Sequence, residues 1–224
     1  MKKVAVIVAA GSGSRMGKEI PKQFLELAGK PILYHTLDTF LGSFPDMQIV
    51  LVIARKFMNW GQEIANAFVD PSRIKIVEGG NTRFQSVRNG LATIHENSVV
   101  FVHDGVRCLL TGHLIHRCYE QALLKGSAVP TVATTETVRI VEGDEHRMID
   151  RSHVRMVQTP QTFLSNIIVN AFRVEENANF TDEASVVEHN GEKVHLIEGE
   201  FTNIKITRPQ DLAMAEYILQ VRNT

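Results

Sequence analysis

Five short runs rich in β-branched residues, Val4 to Val8, Ile49 to Ile53, Ile74 to Val77, Val99 to Val102 and Val194 to Ile197, are separated by longer segments of helical period. This alternation constrains the chain more than any other feature. Parallel strands need a long crossover, and helices supply it while covering the faces of the sheet. The expected class is therefore α/β, with a mostly parallel sheet and helices on both faces. Pro31 to Phe40 opens with a proline suited to a first helical turn, and Thr82 to Ile94 sets Val87, Leu91 and Ile94 on one face. Thr207-Arg208-Pro209-Gln210 has the form of a capping box ahead of Leu212, Ala215 and Leu219, so a last helix is predicted there.

One stretch breaks the alternation. From Thr131 to Ile149 the residues read as strand, turn at Glu142-Gly143-Asp144 and second strand, which is a hairpin pattern. Its polar β-formers Thr131, Thr134, Thr135 and Thr137 and its charged tip free it from the core. Residues 131–151 are expected to form an arm that projects from a single domain spanning 1–224 and embraces a second subunit. Repeats, low-complexity tracts and linkers that would divide the chain are lacking.

At 224 residues the chain can bury a core without disulfides or a structural metal, and its net charge of -1 comes from interspersed acids and bases. That spread gives no basic stripe for nucleic acid. Cys108 and Cys118 are too few for a disulfide scaffold or a zinc site and suit a reducing compartment. Lys2-Lys3 followed by an apolar run to Ala10 has the outline of a secretion signal, but the run is short and leads into glycines. A strand feeding a ligand loop explains it better. A cytoplasmic protein with no membrane span is expected.

The loop is Ala9-Ala10-Gly11-Ser12-Gly13-Ser14-Arg15-Met16-Gly17, at the carboxyl end of a central strand, where open α/β sheets bind ligands. Small residues there let backbone N–H groups approach an anion. The dinucleotide fingerprint fails at Met16, which disfavours an oxidoreductase. A Walker A loop fails because Gly13 to Lys18 is one residue short and Glu19 replaces the magnesium-binding hydroxyl. Arg15 and Lys22 add two positive charges suited to a triphosphate; taken alone, a glycine-rich turn with two solvated cations would also account for them.

Gly11-Ser12-Gly13-Ser14-Arg15-Met16-Gly17 with Pro21-Lys22-Gln23 resembles the signature of the sugar-nucleotide pyrophosphorylase-like transferases. Within them the chain is similar to the 2-C-methyl-D-erythritol 4-phosphate cytidylyltransferase family. The resemblance runs in order through Glu78 to Val87, Val102-His103-Asp104-Gly105-Val106-Arg107, Asp150-Arg151, Gln158-Thr159-Pro160-Gln161, Thr181-Asp182-Glu183-Ala184-Ser185 and Asn203 to Pro209. It implies a Rossmann-like nucleotidyltransferase sheet and CMP transfer from CTP to a sugar-alcohol phosphate in isoprenoid precursor synthesis. Ribitol 5-phosphate is the alternative acceptor. A regulatory protein that binds a nucleotide without turning it over is the alternative of another class.

The resemblance also implies roles. Arg15 and Lys22 hold the CTP phosphates and Lys205 meets both phosphate groups from the other side, as the catalytic cations. Ala9, Ala10, Gly11 and Gly13 cradle the nucleotide, Gly80, Asn81 and Ser86 read cytosine, and Asp104 binds the ribose. Asp104, Arg107, Thr137, Arg151, Thr159 and Lys205 receive the acceptor, with Thr137 and Arg151 coming from the partner of a homodimer. Magnesium is the expected cofactor, held mainly by the CTP phosphates, with Asp104 as its candidate protein ligand. Gly105 and Cys108 depart from the family's alanine and proline and remove a stiffening ring from the loop.

Local readings stay open beside these. Asn81 also suits a helix N-cap, Arg83 either buttresses the loop or lies on an exposed helix face, and the turn before Pro160 accounts for Thr159 by itself. Asn203 to Thr207 reads as a strand with Asn203, Lys205 and Thr207 on one face. A dianionic acceptor phosphate needs no general base, so His103 is expected to be structural.

Overall fold

Residues 1–11 and 20–222 are described by the structure, a computed structural model. In chain order the elements are β1 (Lys2–Ala9), the two-residue pair β2 (Glu26–Leu27) and β3 (Lys30–Pro31), α1 (Ile32–Ser43), β4 (Met47–Ile53), α2 (Met58–Asn66), β5 (Ile74–Glu78), α3 (Arg83–Leu91) and β6 (Ser98–Asp104). There follow α4 (Gly112–Lys125), β7 (Ser127–Ala133), β8 (Val138–Glu142), β9 (Glu145–Ile149), β10 (Arg155–Val157), β11 (Gln161–Leu164), α5 (Ser165–Ala171), α6 (Glu183–His189), β12 (Leu196–Glu198) and α7 (Pro209–Arg222).

The main sheet has the order β10-β7-β11-β6-β1-β4-β5, with β12 beside β7. Strands β6, β1, β4 and β5 are parallel neighbours, whereas β11 runs against β6 and β7, and β10 against β7. The α/β class expected from the alternation is therefore present, with an antiparallel insertion in one half. The chain steps outward from β1 to β4 and β5, then returns to place β6 on the other side of β1. That reversal opens a crevice at the carboxyl ends of the strands. Ala9 pairs with Ile53, Ile53 with Glu78, and Val8 with Asp104, so these strand ends reach one edge together.

The two-residue period of the strands divides the core. Ala5, Ile7, Ile49, Leu51, Ile53 and Phe101 face α1, α2 and α4, while Val6, Val50, Val52, Val100 and Val102 face α3, α5 and α6. Burying each Val, Ile, Leu or Phe among them contributes about 1.5–3 kcal/mol, so both helical layers are held by the continuous apolar strands. A third cluster seats α7, through Ala215, Leu212 and Leu219, on Leu25, Leu27, Val106 and Leu109. This cluster draws the segment before α7 back to the end of β6. At the C-terminus of α4, Gly126 has φ 84°, a left-handed conformation that stops the helix and admits β7.

Several local expectations change in the folded chain. The hairpin of β8 and β9 is a separate two-stranded sheet turning at Gly143, as its pattern indicates, but Thr131 to Ala133 belong to β7 in the main sheet. The hairpin itself starts at Val138. Pro31 stands at the N-cap of α1, just ahead of the helix, and the last strand is shifted to Leu196–Glu198. Asn203 to Thr207 forms no ladder strand, so the expected strand is absent, and Asn203 is fully buried. Packing of Ile206 beneath α7 overrides the alternation. The short antiparallel strands β10 and β11 escaped the sequence reading because three or four residues carry too little periodicity.

The start of α7 is also capped differently. Asp211, and not Gln210, accepts from the backbone N–H of Thr207 (2.7 Å) and Arg208 (2.8 Å) and from the Thr207 hydroxyl (2.8 Å). Asp211→Ala is expected to lower unfolding free energy by about 1 kcal/mol, and Gln210→Ala by a few tenths at most, in urea titrations. Equal losses in the two variants would contradict this cap.

Candidate active site

The crevice is a cavity of about 440 Å³ at the carboxyl edge of the sheet. One wall is the end of β1, with Val8, Ala9, Ala10 and Gly11; the opposite wall is the turn from Gly80 to Arg83, with Ser86 behind it. Asp104 and Val106 form the floor, and Lys22, Gln23 and Lys205 close the side. Of the residues expected to bind nucleotide or to act as catalytic cations, Ala9, Ala10, Gly11, Lys22, Gly80, Asn81, Ser86, Asp104 and Lys205 thus come together in one place. Gly13 and Arg15 lie outside the described residues.

Beyond the ladder pairs of Val8 and Ala9, a side chain holds the root of the β1 wall. Gln23, buried on the three-residue 3-10 turn Lys22–Phe24, donates to the carbonyls of Ala9 (2.7 Å) and Gly11 (3.1 Å). The glutamine of Pro21-Lys22-Gln23 is therefore the clamp of the loop's root, a role the sequence reading did not assign. Lys22 donates to the Ile206 carbonyl at 2.8 Å, next to Lys205, which holds the two ammonium-bearing segments at one rim.

The facing turn is built as tightly. The Gly80 N–H donates to Ser86 Oγ (3.1 Å), Ser86 Oγ donates to the Thr82 carbonyl (2.8 Å), and the Asn81 N–H donates to Gln85 Oε1 (3.0 Å). The N-cap of α3 is Thr82, which accepts from the Gln85 N–H, so the N-cap role considered for Asn81 is corrected. A Cβ at Gly79 would lie 2.4 Å from the Ala10 Cβ, and one at Gly80 would lie 2.3 Å from the Gln85 Cβ. Gly79 is needed for the close approach of the two walls, and Gly80 for the close packing of the turn on the start of α3.

Asp104 is the electrostatic centre. Its Oδ2 lies 2.9 Å from Lys205 Nζ and 3.5 Å from Arg107 Nε, and its Oδ1 lies 3.4 Å from Arg83 Nη2. Burial by itself would raise its pKa, but the charges of Arg83, Lys205 and Arg107 outweigh burial and hold the carboxyl well below the usual range. Arg83 in turn makes a two-pronged pair with Glu183, whose side chain is fully buried. Burial disfavours the Arg83 charge, yet Glu183 and Asp104 together raise its pKa. Of its two open readings, the buttress holds and the exposed helix face does not.

Arg107 and Thr159 lie beneath the cavity instead of lining it. Arg107 donates to the Asn203 carbonyl at 2.9 Å. Thr159, buried, accepts from the Asp104 N–H (3.2 Å) and shares a 2.9 Å hydrogen bond with His103 Nδ1. His103 Nε2 lies 3.1 Å from the Arg107 carbonyl, which can only accept, so Nε2 carries the proton and Nδ1 accepts from the Thr159 hydroxyl. Together with the Arg107 N–H on the Asp104 carbonyl (3.0 Å) and the Gly105 N–H on the Val8 carbonyl (3.0 Å), these bonds stiffen the loop that lacks a proline at Cys108. Thr137 and Arg151 are exposed on the hairpin side, Arg151 donating to the Thr135 carbonyl at 2.7 Å, and neither lines this chain's cavity.

The His103 imidazole is completely buried, and desolvation pushes its pKa down to about 3 despite the nearby Asp104 charge. In the unfolded chain the ordinary value is near 6.5, so between these limits the unfolded state binds more protons. Stability should be fully present above about pH 6.5 and fall as the pH drops towards 3, at a limiting slope of about 1.4 kcal/mol per pH unit. Urea titrations at pH 7, 6 and 5 would measure it, and His103→Asn should flatten the dependence. A wild-type profile that is flat from 7 to 5 would contradict a neutral buried imidazole.

Comparison with known proteins adds an independent line. The family model described as 2-C-methyl-D-erythritol 4-phosphate cytidylyltransferase matches residues 3–221. A protein of that name from Bacteroides fragilis is 41% identical over 219 residues, covering 98% of this chain and 100% of its own. Its counterpart from Porphyromonas gingivalis is 44% identical over 220 residues, covering 97% and 98%. Among solved structures, 4-diphosphocytidyl-2C-methyl-D-erythritol synthase from Anaerococcus prevotii superposes with a TM-score of 0.84 at 29% identity, covering 98% of this chain and 99% of that one. The 2-C-methyl-D-erythritol 4-phosphate cytidylyltransferase of Thermus thermophilus does so with a TM-score of 0.77 at 30% identity, covering 98% and 100%.

Proposed function

The chain belongs to the 2-C-methyl-D-erythritol 4-phosphate cytidylyltransferase family, and from that premise we infer that it transfers CMP from CTP to 2-C-methyl-D-erythritol 4-phosphate, releasing pyrophosphate, in isoprenoid precursor synthesis. The observation that carries the mechanism is the convergence of Lys22 and Lys205 on the rim of a cleft whose opposite wall is a glycine turn suited to a base.

The acceptor phosphate has a second pKa near ~6 and arrives largely as a dianion, so its oxygen can attack the α-phosphorus without a general base. The bond to the pyrophosphate leaving group breaks, and the charge that develops there must be neutralised. His103, neutral with both ring nitrogens engaged, suits a structural role. Lys22 and Lys205 bring two anions into line and stabilise the transferred charge. Arg15 shares this work by resemblance. Gly80, Asn81 and Ser86 read cytosine in this scheme, and Ala9 to Gly11 offer backbone donors to the nucleotide.

Magnesium would accompany the CTP phosphates and screen their charge. Asp104 fits poorly as its protein ligand, because both carboxylate oxygens already face cations and no three His, Cys, Asp or Glu side chains converge among the described residues. Asp104 is better suited to orienting Lys205 and Arg107 beside the acceptor and the ribose.

A homodimer with shared sites is part of the same reading. It is supported by the exposed apolar side chains of Val141 and Met148 on the hairpin and of Met156 and Val157 on β10, which a second subunit would cover. Thr137 and Arg151 would then serve the partner's acceptor pocket. A reducing, cytoplasmic setting agrees with the free, buried Cys108 and Cys118. No helix of the described residues is long and apolar enough to cross a membrane.

Purified protein supplied with CTP, magnesium and either 2-C-methyl-D-erythritol 4-phosphate or ribitol 5-phosphate should release pyrophosphate efficiently only with the first. Tight CTP binding without pyrophosphate would instead favour the regulatory reading. Lys22→Ala should lower kcat about 100- to 1000-fold while keeping a cooperative melt, with only the small loss of stability expected from its bond to the Ile206 carbonyl. Arg151→Ala should raise the acceptor KM, and mixing it with Lys22→Ala should restore part of the activity. Failure to complement would count against sites shared between subunits.

A further inference from the structure

The Glu183 carboxylate is fully buried and faces Arg83, not substrate space, and the mechanism above does not use it. We propose that Glu183 is a positioning residue for cytidylyl transfer: by holding Arg83 in a two-pronged pair it keeps one oxygen of Asp104 available to Lys205. The proposal rests on the assignment of Lys205 as a catalytic cation.

Three observations carry it. Glu183 is the first residue of α6, and the Gln161 side chain of β11 brackets it, donating to Asp182 Oδ2 (2.8 Å) and accepting from the Ala184 N–H (2.8 Å). The carboxylate is therefore anchored to the sheet, with Asp182 and Ser185 closing a capping box around it. Second, both oxygens of Glu183 engage the Arg83 guanidinium, Nη2 lying 3.1 Å from Oε2. Only a secondary contact of 3.4 Å, from the same Nη2, is left for Asp104 Oδ1. Third, the other Asp104 oxygen takes Lys205 at 2.9 Å.

A guanidinium fork matches a whole carboxylate, and Arg83 deprived of Glu183 has Asp104 as its nearest acid. It would claim both Asp104 oxygens and displace Lys205 from the rim. Glu183 thus divides the acids among the cations: Arg83 belongs to α6, and Lys205 belongs to the end of β6. A buried glutamate that merely neutralised Arg83 would matter to folding in the same way whether or not Lys205 were present. One that aims Lys205 would not.

The test uses the full-length chain with CTP, magnesium and 2-C-methyl-D-erythritol 4-phosphate. Glu183→Gln should lower kcat about 100-fold, the scale of a small misplacement of a reacting group, with little change in the KM for CTP. In a Lys205→Met background the same change should cause no further loss, because the cation it aims is gone. An equal fold-loss in both backgrounds overturns the proposal. If Glu183→Gln gives no cooperative melt, Glu183→Asp takes its place. It keeps the charge on a side chain one methylene shorter and should give an intermediate kcat with the same dependence on Lys205. A crystal structure of whichever variant folds should show Arg83 paired with both oxygens of Asp104 and Lys205 withdrawn, whereas an intact Lys205–Asp104 pair overturns the idea. Should the wild type bind CTP but release no pyrophosphate, the functional reading fails, and the crystal structure still decides the role of Glu183.

Discussion

A single carboxylate, Asp104, sits at the end of a fully buried strand with three cations gathered on it. Lys205 arrives from the segment before α7, Arg83 from α3 and Arg107 from the loop that follows β6 itself. A charge at that depth is costly unless it is paired, and cations so close would repel one another without it. The site is consequently a coupled charge cluster with a net positive balance, and removing any member leaves its partners uncompensated. The sheet brings the strand ends into register, but this cluster decides how the segments beyond those ends are disposed.

From the cluster outward, side chains bond to the backbone of neighbouring turns and convert loops into fixed walls. Thr159 and His103 hold the Asp104 backbone from beneath, Gln23 holds the end of β1, and Ser86 with Gln85 holds the turn at Gly80. The buried histidine is informative here. A neutral ring that donates at Nε2 and accepts at Nδ1 is a directional connector, and its low pKa follows from the apolar cost of charging it there. An acceptor that comes with its own negative oxygen has no use for a proton acceptor at this position. The chemistry asks for charge and alignment, which are what the surrounding bonds supply.

Glu183 extends the same logic one shell away from the cleft. It shares Arg83 with Asp104 in unequal parts, and the inequality keeps Lys205 directed at the rim. Short helix α6 carries this carboxylate on the same turn that packs Ala184, Val186 and Val187 into the core, and Gln161 ties it to β11. The antiparallel insertion in the sheet thereby acquires a purpose: β11, between β6 and β7, carries Gln161, the anchor of α6, and the segment just before it brings Thr159 to the Asp104 N–H.

Local chemistry along the chain was enough to indicate the alternating strands and helices, the hairpin at Gly143, the glycine turns and the basic residues at the strand ends. Each of these depends on short-range rules of period, turn geometry and charge. Resemblance linked Lys22, Asp104 and Lys205 across more than 180 positions without saying how they meet. Tertiary structure alone decided that Arg83 pairs with the buried Glu183, that Thr82 and not Asn81 caps α3, that Asp211 caps α7, and that Thr131 belongs to the main sheet. The physical reason is the same in each case. A buried charge or an orphan backbone donor takes whichever partner the packed elements bring within reach, and that partner can lie a hundred residues away in sequence.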